Sequence, residues 1–117
     1  MTLKQLYYSI GGNYDDVLKR LVSEDLVSRF VSKFLSDDSF LLLSEGMKER
    51  NAEQAFRGAH TLKGVAQNLG FGALGGSAAE LTEALRGRTF DGTDELFGIV
   101  KADYEKVVSS INEYIKG

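Results

Sequence analysis

Apolar residues recur at helical spacing through almost the whole chain, and no proline interrupts them. The strongest stripe lies near the C-terminus, where an apolar side chain follows every three or four residues. Its members are Leu96, Val100, Tyr104, Val107, Ile111 and Ile115. This spacing places the side chains along one face of an α-helix, which can be buried against neighbouring helices. The pattern predicts an all-α fold.

Glycine and small polar residues mark the breaks between the predicted helices. After a short helix over residues 2–10, Gly11-Gly12 ends it, and Asn13 caps a second short helix. The later helices are predicted over residues 24–36, 39–50, 52–69, 73–86 and 94–116. Their predicted caps and ends are Ser23, Asn51, Gly70-Phe71-Gly72 and Gly87, and either Asp91 or Thr93 is predicted to start the last helix.

Local signals differ in strength between these helices. Asn51 with Gln54 three residues later resembles a capping box, in which two side chains bind each other's backbone amides. Gly75-Gly76 weakens the start of the helix over residues 73–86, by about 1 kcal/mol for each glycine relative to alanine.

Four long helices with short connections favour an antiparallel up-down four-helix bundle. One or two short extra helices at the N-terminus would then cap or flank one end. No internal repeat, low-complexity tract or linker divides residues 1–117, which indicates a single domain.

Composition narrows the possible functions. Without cysteine the chain has neither disulfides nor thiolate ligands, and a single histidine argues against a transition-metal site, although a carboxylate site for a hard cation stays open. A net charge of −3 without a basic patch argues against nucleic-acid binding and favours a protein as the binding partner. No apolar run is long enough to span a membrane, and the N-terminus lacks the features of a signal peptide. We therefore expect a cytoplasmic protein.

The helix over residues 52–69 carries the most informative pattern. Small apolar residues form its inner stripe, which lets neighbouring helices approach closely. The stripe consists of Ala52, Ala55, Ala59, Leu62, Ala66 and Leu69. At about 100° per residue, His60 falls about 130° from the centre of this stripe. We therefore predict that the imidazole ring is at least partly exposed.

Four residues share the helix surface with His60. Phe56, Lys63, Gly64 and Gln67 lie one or two turns away, at spacings that bring side chains together. Neutral imidazole is a good nucleophile that can accept and release a phosphoryl group. Lys63 would offset the phosphate charge, and Gly64 would leave room for another protein. Gln67 would bind a phosphate oxygen or fix the ring tautomer.

Each of these residues also has an ordinary explanation. A lone histidine usually has no special role, Lys63 is by itself a solvated charge, and Phe56 fits the edge of a core. Gly64 is harder to explain in this way, since a glycine inside a helix costs about 1 kcal/mol and implies a packing or access reason. The combination of the five residues carries more weight than any single one.

The chain lacks the nucleotide-binding loop that an autonomous kinase requires, because no GxxxxGK[ST] pattern occurs. The histidine is therefore interpreted as a phosphoryl carrier whose chemistry depends on a partner. Phosphoryl transfer relies mainly on positioning and on charge stabilisation by a metal ion. We expect no cofactor on this chain, and the Mg²⁺ would belong to the partner.

The segment AHTLKGVAQNLG, residues 59–70, resembles the signature of histidine-containing phosphotransfer (HPt) domains, which reads approximately A-H-x-L-K-G-x-A-x-x-L-G. The resemblance extends over roughly residues 13–116 in helix number and order. It implies that His60 is phosphorylated and that Lys63 and Gly64 support the phosphohistidine. Gln67 fits less well, because many family members have a small residue there.

The resemblance also implies partners. The phosphoryl group would come from the aspartate of one response-regulator receiver domain and pass to that of another. A sensor or hybrid histidine kinase would act upstream. We expect the protein to be a monomer, although the sequence carries no signal for the oligomeric state. Chemotaxis-type phosphotransfer domains often carry a second histidine and a glutamate on the next helix. This chain offers Glu80 and Glu83 there but no histidine, which favours the phosphorelay type.

Other interpretations stay open on sequence alone. His60 would act as a general base only with an enclosed pocket and a second catalytic group. A helical adaptor that binds receivers without phosphorylation would share every predicted helix, and the chain would also suit one domain of a hybrid kinase.

For the phosphotransfer interpretation, we expect Phe56 and exposed apolar residues of the helix over residues 24–36 to form the docking surface.

Overall fold

Seven α-helices and one 3₁₀ turn make up the computed structural model, which describes all residues 1–117. The helices are α1 (Leu3–Ser9), α2 (Tyr14–Leu21), α3 (Glu24–Lys33), α4 (Ser39–Lys48), α5 (Ala52–Asn68), α6 (Gly72–Leu85) and α7 (Thr93–Lys116), and the turn is Phe34–Ser36. The all-α prediction is confirmed. The segment predicted as one helix over residues 24–36 is α3 followed by the 3₁₀ turn.

The bundle consists of α4 to α7, and short connections reverse the chain between successive helices. The central helix is α5, which packs against α4 on one side and α6 on the other. Aromatic stacking joins α4 to α7, where the Phe40 ring lies 4.1 Å from that of Tyr104 and 6.0 Å from that of Phe97. Three helices precede the bundle, and α1 and α2 are the short N-terminal helices that the sequence predicted.

The N-terminal helices complete the core and do more than cap it. Leu3, Leu6 and Tyr7 of α1 are buried. The Tyr7 hydroxyl donates a hydrogen bond to the Leu69 carbonyl at 2.6 Å, which ties α1 to the end of α5. The Tyr7 ring also packs against Phe71 in the α5–α6 turn, at 5.7 Å between ring centroids. Burial raises the pKa of the Tyr7 hydroxyl well above its usual value.

Two glycines allow α4 and α5 to approach closely. A Cβ atom on Gly58 would lie 2.5 Å from the Leu43 backbone nitrogen, and one on Gly46 would lie 2.5 Å from the Ala55 nitrogen. The two helices therefore pack backbone to backbone at these points. This contact fixes the rotation of α5 about its own axis. The inner stripe is buried as predicted, except that Ala52 is only partly buried.

The predicted caps are partly confirmed. The side chains of Asn13, Ser23 and Asn51 each accept a hydrogen bond from a first-turn amide of their helix. The capping box at Asn51 is incomplete, because the Gln54 amide donates to the Leu42 carbonyl and does not return to Asn51.

Loop geometry decides the two ends of the α6–α7 connection. Gly92 (φ 70°) is the N-cap of α7, and Thr93, one of the two residues predicted to start this helix, is its first helical residue. After α6, Arg88 and not Gly87 adopts the left-handed conformation.

Several large apolar residues of the helices are exposed, including Ile115 of the C-terminal stripe. Leu26 and Phe30 of α3 are 39% and 41% exposed, because that helix buries only Val27 and Val31. Leu41 in α4 and Ile115 in α7 are also exposed. No helix has the length and apolar character needed to cross a membrane.

Candidate functional site

His60 lies in the middle of α5 and its side chain is exposed, as its position on the helix predicted. The residues before and after it on the inner side, Ala59 and Leu62, are fully buried, so packing of the helix holds the imidazole outward. No hydrogen bond from the protein reaches either ring nitrogen. The ring is therefore open to a second molecule.

Lys63 lies one turn beyond His60 and is partly buried. It is near Glu83 of α6, whose carboxyl pKa is held below its usual value mainly by hydrogen bonds from Arg86, with a smaller contribution from the positive charge of Lys63. Arg86 holds Glu83 through two hydrogen bonds of 3.0 and 2.8 Å. Lys63 itself forms no ion pair within 4.0 Å, which leaves its ammonium group available beside His60.

Gly64 has no packing reason to be glycine. A Cβ atom built on it would meet nothing within 4 Å, in contrast to the clash at Gly58. The sequence left two explanations for this glycine, packing within the chain and access for a partner. The open space around Gly64 excludes the first. Gly64 leaves a bare section of helix next to His60.

Gln67 is exposed and lies two turns from His60, a rise of about 10 Å along the helix. It makes no hydrogen bond to the imidazole. Its side-chain stem instead packs towards α6, where a Cβ atom on Gly75 would lie 3.1 Å from the Gln67 Cγ. Glycine at position 75 therefore leaves room for the Gln67 side chain. The sequence indicated only that Gly75 weakens its helix and did not predict this packing role.

Phe56 lies one turn before His60, and the two ring centroids are 5.9 Å apart with planes tilted by 33°. Two arginines from the α6–α7 connection lie over the same phenyl ring. The Arg88 guanidinium carbon is 3.8 Å from the ring centroid, and that of Arg86 is 5.5 Å away. No sequence pattern indicated these arginines, because they approach from a loop about 30 residues further along the chain.

A groove of about 720 Å³ lies beside the site, between α3 and the second half of α5. Phe30, Val65 and Leu69 contribute apolar surface, and Arg20 and Lys33 contribute positive charge. His60 does not line this groove, and its side chain is exposed. No group of three or more acidic or histidine side chains is arranged to hold a metal ion.

Comparison with known proteins identifies the family. A protein-family model described as the Hpt domain matches residues 25–110, which include all five predicted site residues. No curated protein and no solved structure matches the chain. The match covers most of the 117 residues and agrees with the segment AHTLKGVAQNLG on α5. The chain therefore belongs to the Hpt domain family, whose function is histidine phosphotransfer in phosphorelays.

Proposed function

We propose that this protein accepts a phosphoryl group on His60 from the aspartate of one receiver domain and passes it to the aspartate of another. The observation that carries the proposal is the exposed imidazole of His60, unpartnered and next to the bare helix at Gly64, in a chain of the Hpt family. Lys63, one turn beyond His60, supplies a positive charge on the same helix that no ion pair occupies.

The transfer needs no group on this chain beyond a nucleophile and local charge. An unprotonated ring nitrogen of His60 forms a bond to phosphorus while the bond from phosphorus to the aspartyl oxygen breaks. The electron pair of the broken bond stays on the donor carboxylate. Mg²⁺ and the donor carboxylate are supplied by the receiver, and in such reactions positioning and charge stabilisation provide most of the rate. The reverse sequence of bond changes delivers the group to the second receiver.

The docking surface comprises the His60 face of α5 and the neighbouring face of α3. Phe30 is 41% exposed and lines the groove that Val65 of α5 also lines, so α3 and α5 present one continuous surface. Leu26 lies one turn before Phe30 and is similarly exposed. Exposed apolar side chains near a reactive group suit the core of a small transient interface. Phe56 adds a partly buried aromatic ring at the other end of the site.

The direct test is transfer of radiolabelled phosphate from a phosphorylated receiver to the protein, with His60→Gln as the control. We expect label on the wild-type protein and none on the variant. The bond should be lost in acid and survive alkali, as a phosphoramidate does. Equal labelling of the variant would contradict the assignment of His60, and binding of receivers without any labelling would favour a non-catalytic adaptor.

The contribution of α3 can be tested separately from the chemistry. Phe30→Ala should raise the receiver concentration needed for half-maximal transfer without lowering the maximum rate, because it removes only a docking contact. Leu41→Ala on α4 is a matched control, since Leu41 is also an exposed apolar residue but does not line the groove. An equal effect of both variants would contradict the proposed surface.

A further inference from the structure

The aromatic ring beside His60 is held from a distant part of the chain. Phe56 packs against the core on one side and remains partly exposed. Its ring lies 5.9 Å from the His60 ring, close enough for the position of one ring to restrict the other. The Arg88 guanidinium lies only 3.8 Å from the Phe56 centroid, well within the range of a cation–π contact.

Arg88 is itself fixed by three hydrogen bonds. Its Nε donates to the Glu53 carboxylate at 2.6 Å, and its Nη1 donates to the Arg86 carbonyl at 2.6 Å. Its backbone amide donates to the Leu85 carbonyl at 2.8 Å, which closes the end of α6. Glu53 and Phe56 lie three residues apart on α5, so the guanidinium bridges two positions of the helix that carries His60.

The backbone of Arg88 adds a second, independent observation. Its φ angle is +60°, in the left-handed region that normally favours glycine at a helix end. Gly87 directly precedes it but does not occupy that position. An arginine therefore stands where glycine would be less strained, and its side chain lies over α5 in contact with Glu53 and Phe56.

We propose that Arg88 is a positioning residue for phosphoryl transfer, which holds the Phe56 ring and through it restricts the orientation of the His60 imidazole. This inference rests on the proposed function of His60. The hydrogen bonds of the Arg88 side chain go to Glu53 and the Arg86 carbonyl and not to the imidazole. Arg88 acts only through Phe56, with Glu53 fixing its guanidinium plane.

Orientation matters because of the geometry of the reaction. The attacking nitrogen and the leaving aspartyl oxygen must lie roughly in line through phosphorus. No hydrogen bond fixes the His60 ring, so a neighbouring aromatic ring is the available restraint. A loosely held imidazole would spend less time in the reactive orientation, which lowers the maximum rate without weakening docking.

The test replaces Arg88 in three ways. Arg88→Ala removes the side chain, Arg88→Gly removes it and also relieves the left-handed backbone, and Arg88→Lys keeps a charge but loses the planar group. Lys101→Ala on α7, an exposed cation far along the chain from the site, is the control for loss of charge. His60 is the only histidine, so its imidazole signals in an NMR spectrum of the full chain are unambiguous.

We expect Arg88→Ala and Arg88→Gly to shift the His60 ring signals towards those of Phe56→Ala and to lower the maximum transfer rate threefold to tenfold. Arg88→Lys should not restore either property, and Lys101→Ala should match the wild type. Unchanged ring signals in Arg88→Gly, or a full rate in Arg88→Lys, would overturn the positioning role. Failure of the wild-type protein to take label would instead refute the proposed function, while the NMR comparison would still report on the ring.

Discussion

Gly58 and Gly64 lie on the same helix and meet opposite surroundings. A side chain at Gly58 would collide with the backbone of α4, whereas one at Gly64 would meet no atom within 4 Å. The inner face of α5 is thus determined by contacts within the chain. The outer face, with His60 and Lys63, makes few such contacts. Contacts within the chain therefore do not explain its residues, and a partner protein can. This contrast separates residues needed for folding from residues that suit a partner.

The largest effect is expected on the inner face. Gly58→Ala should lower the free energy of unfolding by about 2 kcal/mol, because overpacking costs up to about 3 kcal/mol and the better helix propensity of alanine offsets about 1. Urea unfolding followed by circular dichroism measures this. Gly98→Ala on α7 is the matched control, since a Cβ atom there meets nothing within 4 Å and should stabilise the protein. Equal stabilisation by both changes would show that α4 and α5 are not in close contact.

The same substitution on the outer face should act in the opposite direction. Gly64→Ala should raise the free energy of unfolding by about 1 kcal/mol, because alanine favours the helix and nothing in the chain opposes its methyl group. Transfer from a phosphorylated receiver should nevertheless become slower. The added methyl group would obstruct the approaching protein.

A small phosphodonor such as phosphoramidate separates access from chemistry in the Gly64→Ala variant. Labelling of His60 by this donor should match the wild type, because a small molecule passes the methyl group easily. If both donors became equally slow, the variant would have disturbed the imidazole itself, and the access role of Gly64 would be wrong.

The two faces also differ in how far the sequence predicts them. The inner stripe and the exposure of His60 follow from helical periodicity, which depends only on neighbours along the chain. The difference between Gly58 and Gly64 does not, since it depends on where α4 crosses α5. The contact between Arg88 and Phe56 could not be predicted for the same reason, because it joins residues far apart in sequence. The sequence predicted exposed apolar residues on the helix over residues 24–36 but not which ones, because Leu26 and Phe30 are identified only by the narrow contact of α3 with the bundle.

Lys63 should show a smaller effect than either glycine. Lys63→Ala removes the positive charge one turn beyond His60, and a partly exposed charge pair contributes up to about 1 kcal/mol. The half-life of the phosphorylated protein, or the rate of its formation, should fall by a factor of about five or less. Lys101→Ala provides the control, and an unaltered half-life and rate would mean that Lys63 is only a solvated surface charge.

The smallest expected effect concerns the Glu53 carboxylate, which lies at the outer edge of α5. Its pKa is held below its usual value, mainly by the hydrogen bond from Arg88. The interaction therefore stabilises the folded protein at neutral pH and is lost as the pH falls through the lowered pKa, when the carboxylate takes up a proton. Both groups are exposed, so the change in stability should be slight.

The pKa of the Glu53 carboxyl is the sharper measurement. A carbon-13 titration of the Glu53 side chain should give a midpoint that rises towards the ordinary value in Arg88→Gly but stays low in Lys101→Ala. Equal midpoints in the wild type and Arg88→Gly would show that the guanidinium does not hold Glu53 in solution, and the anchoring of Arg88 over Phe56 would lose its support.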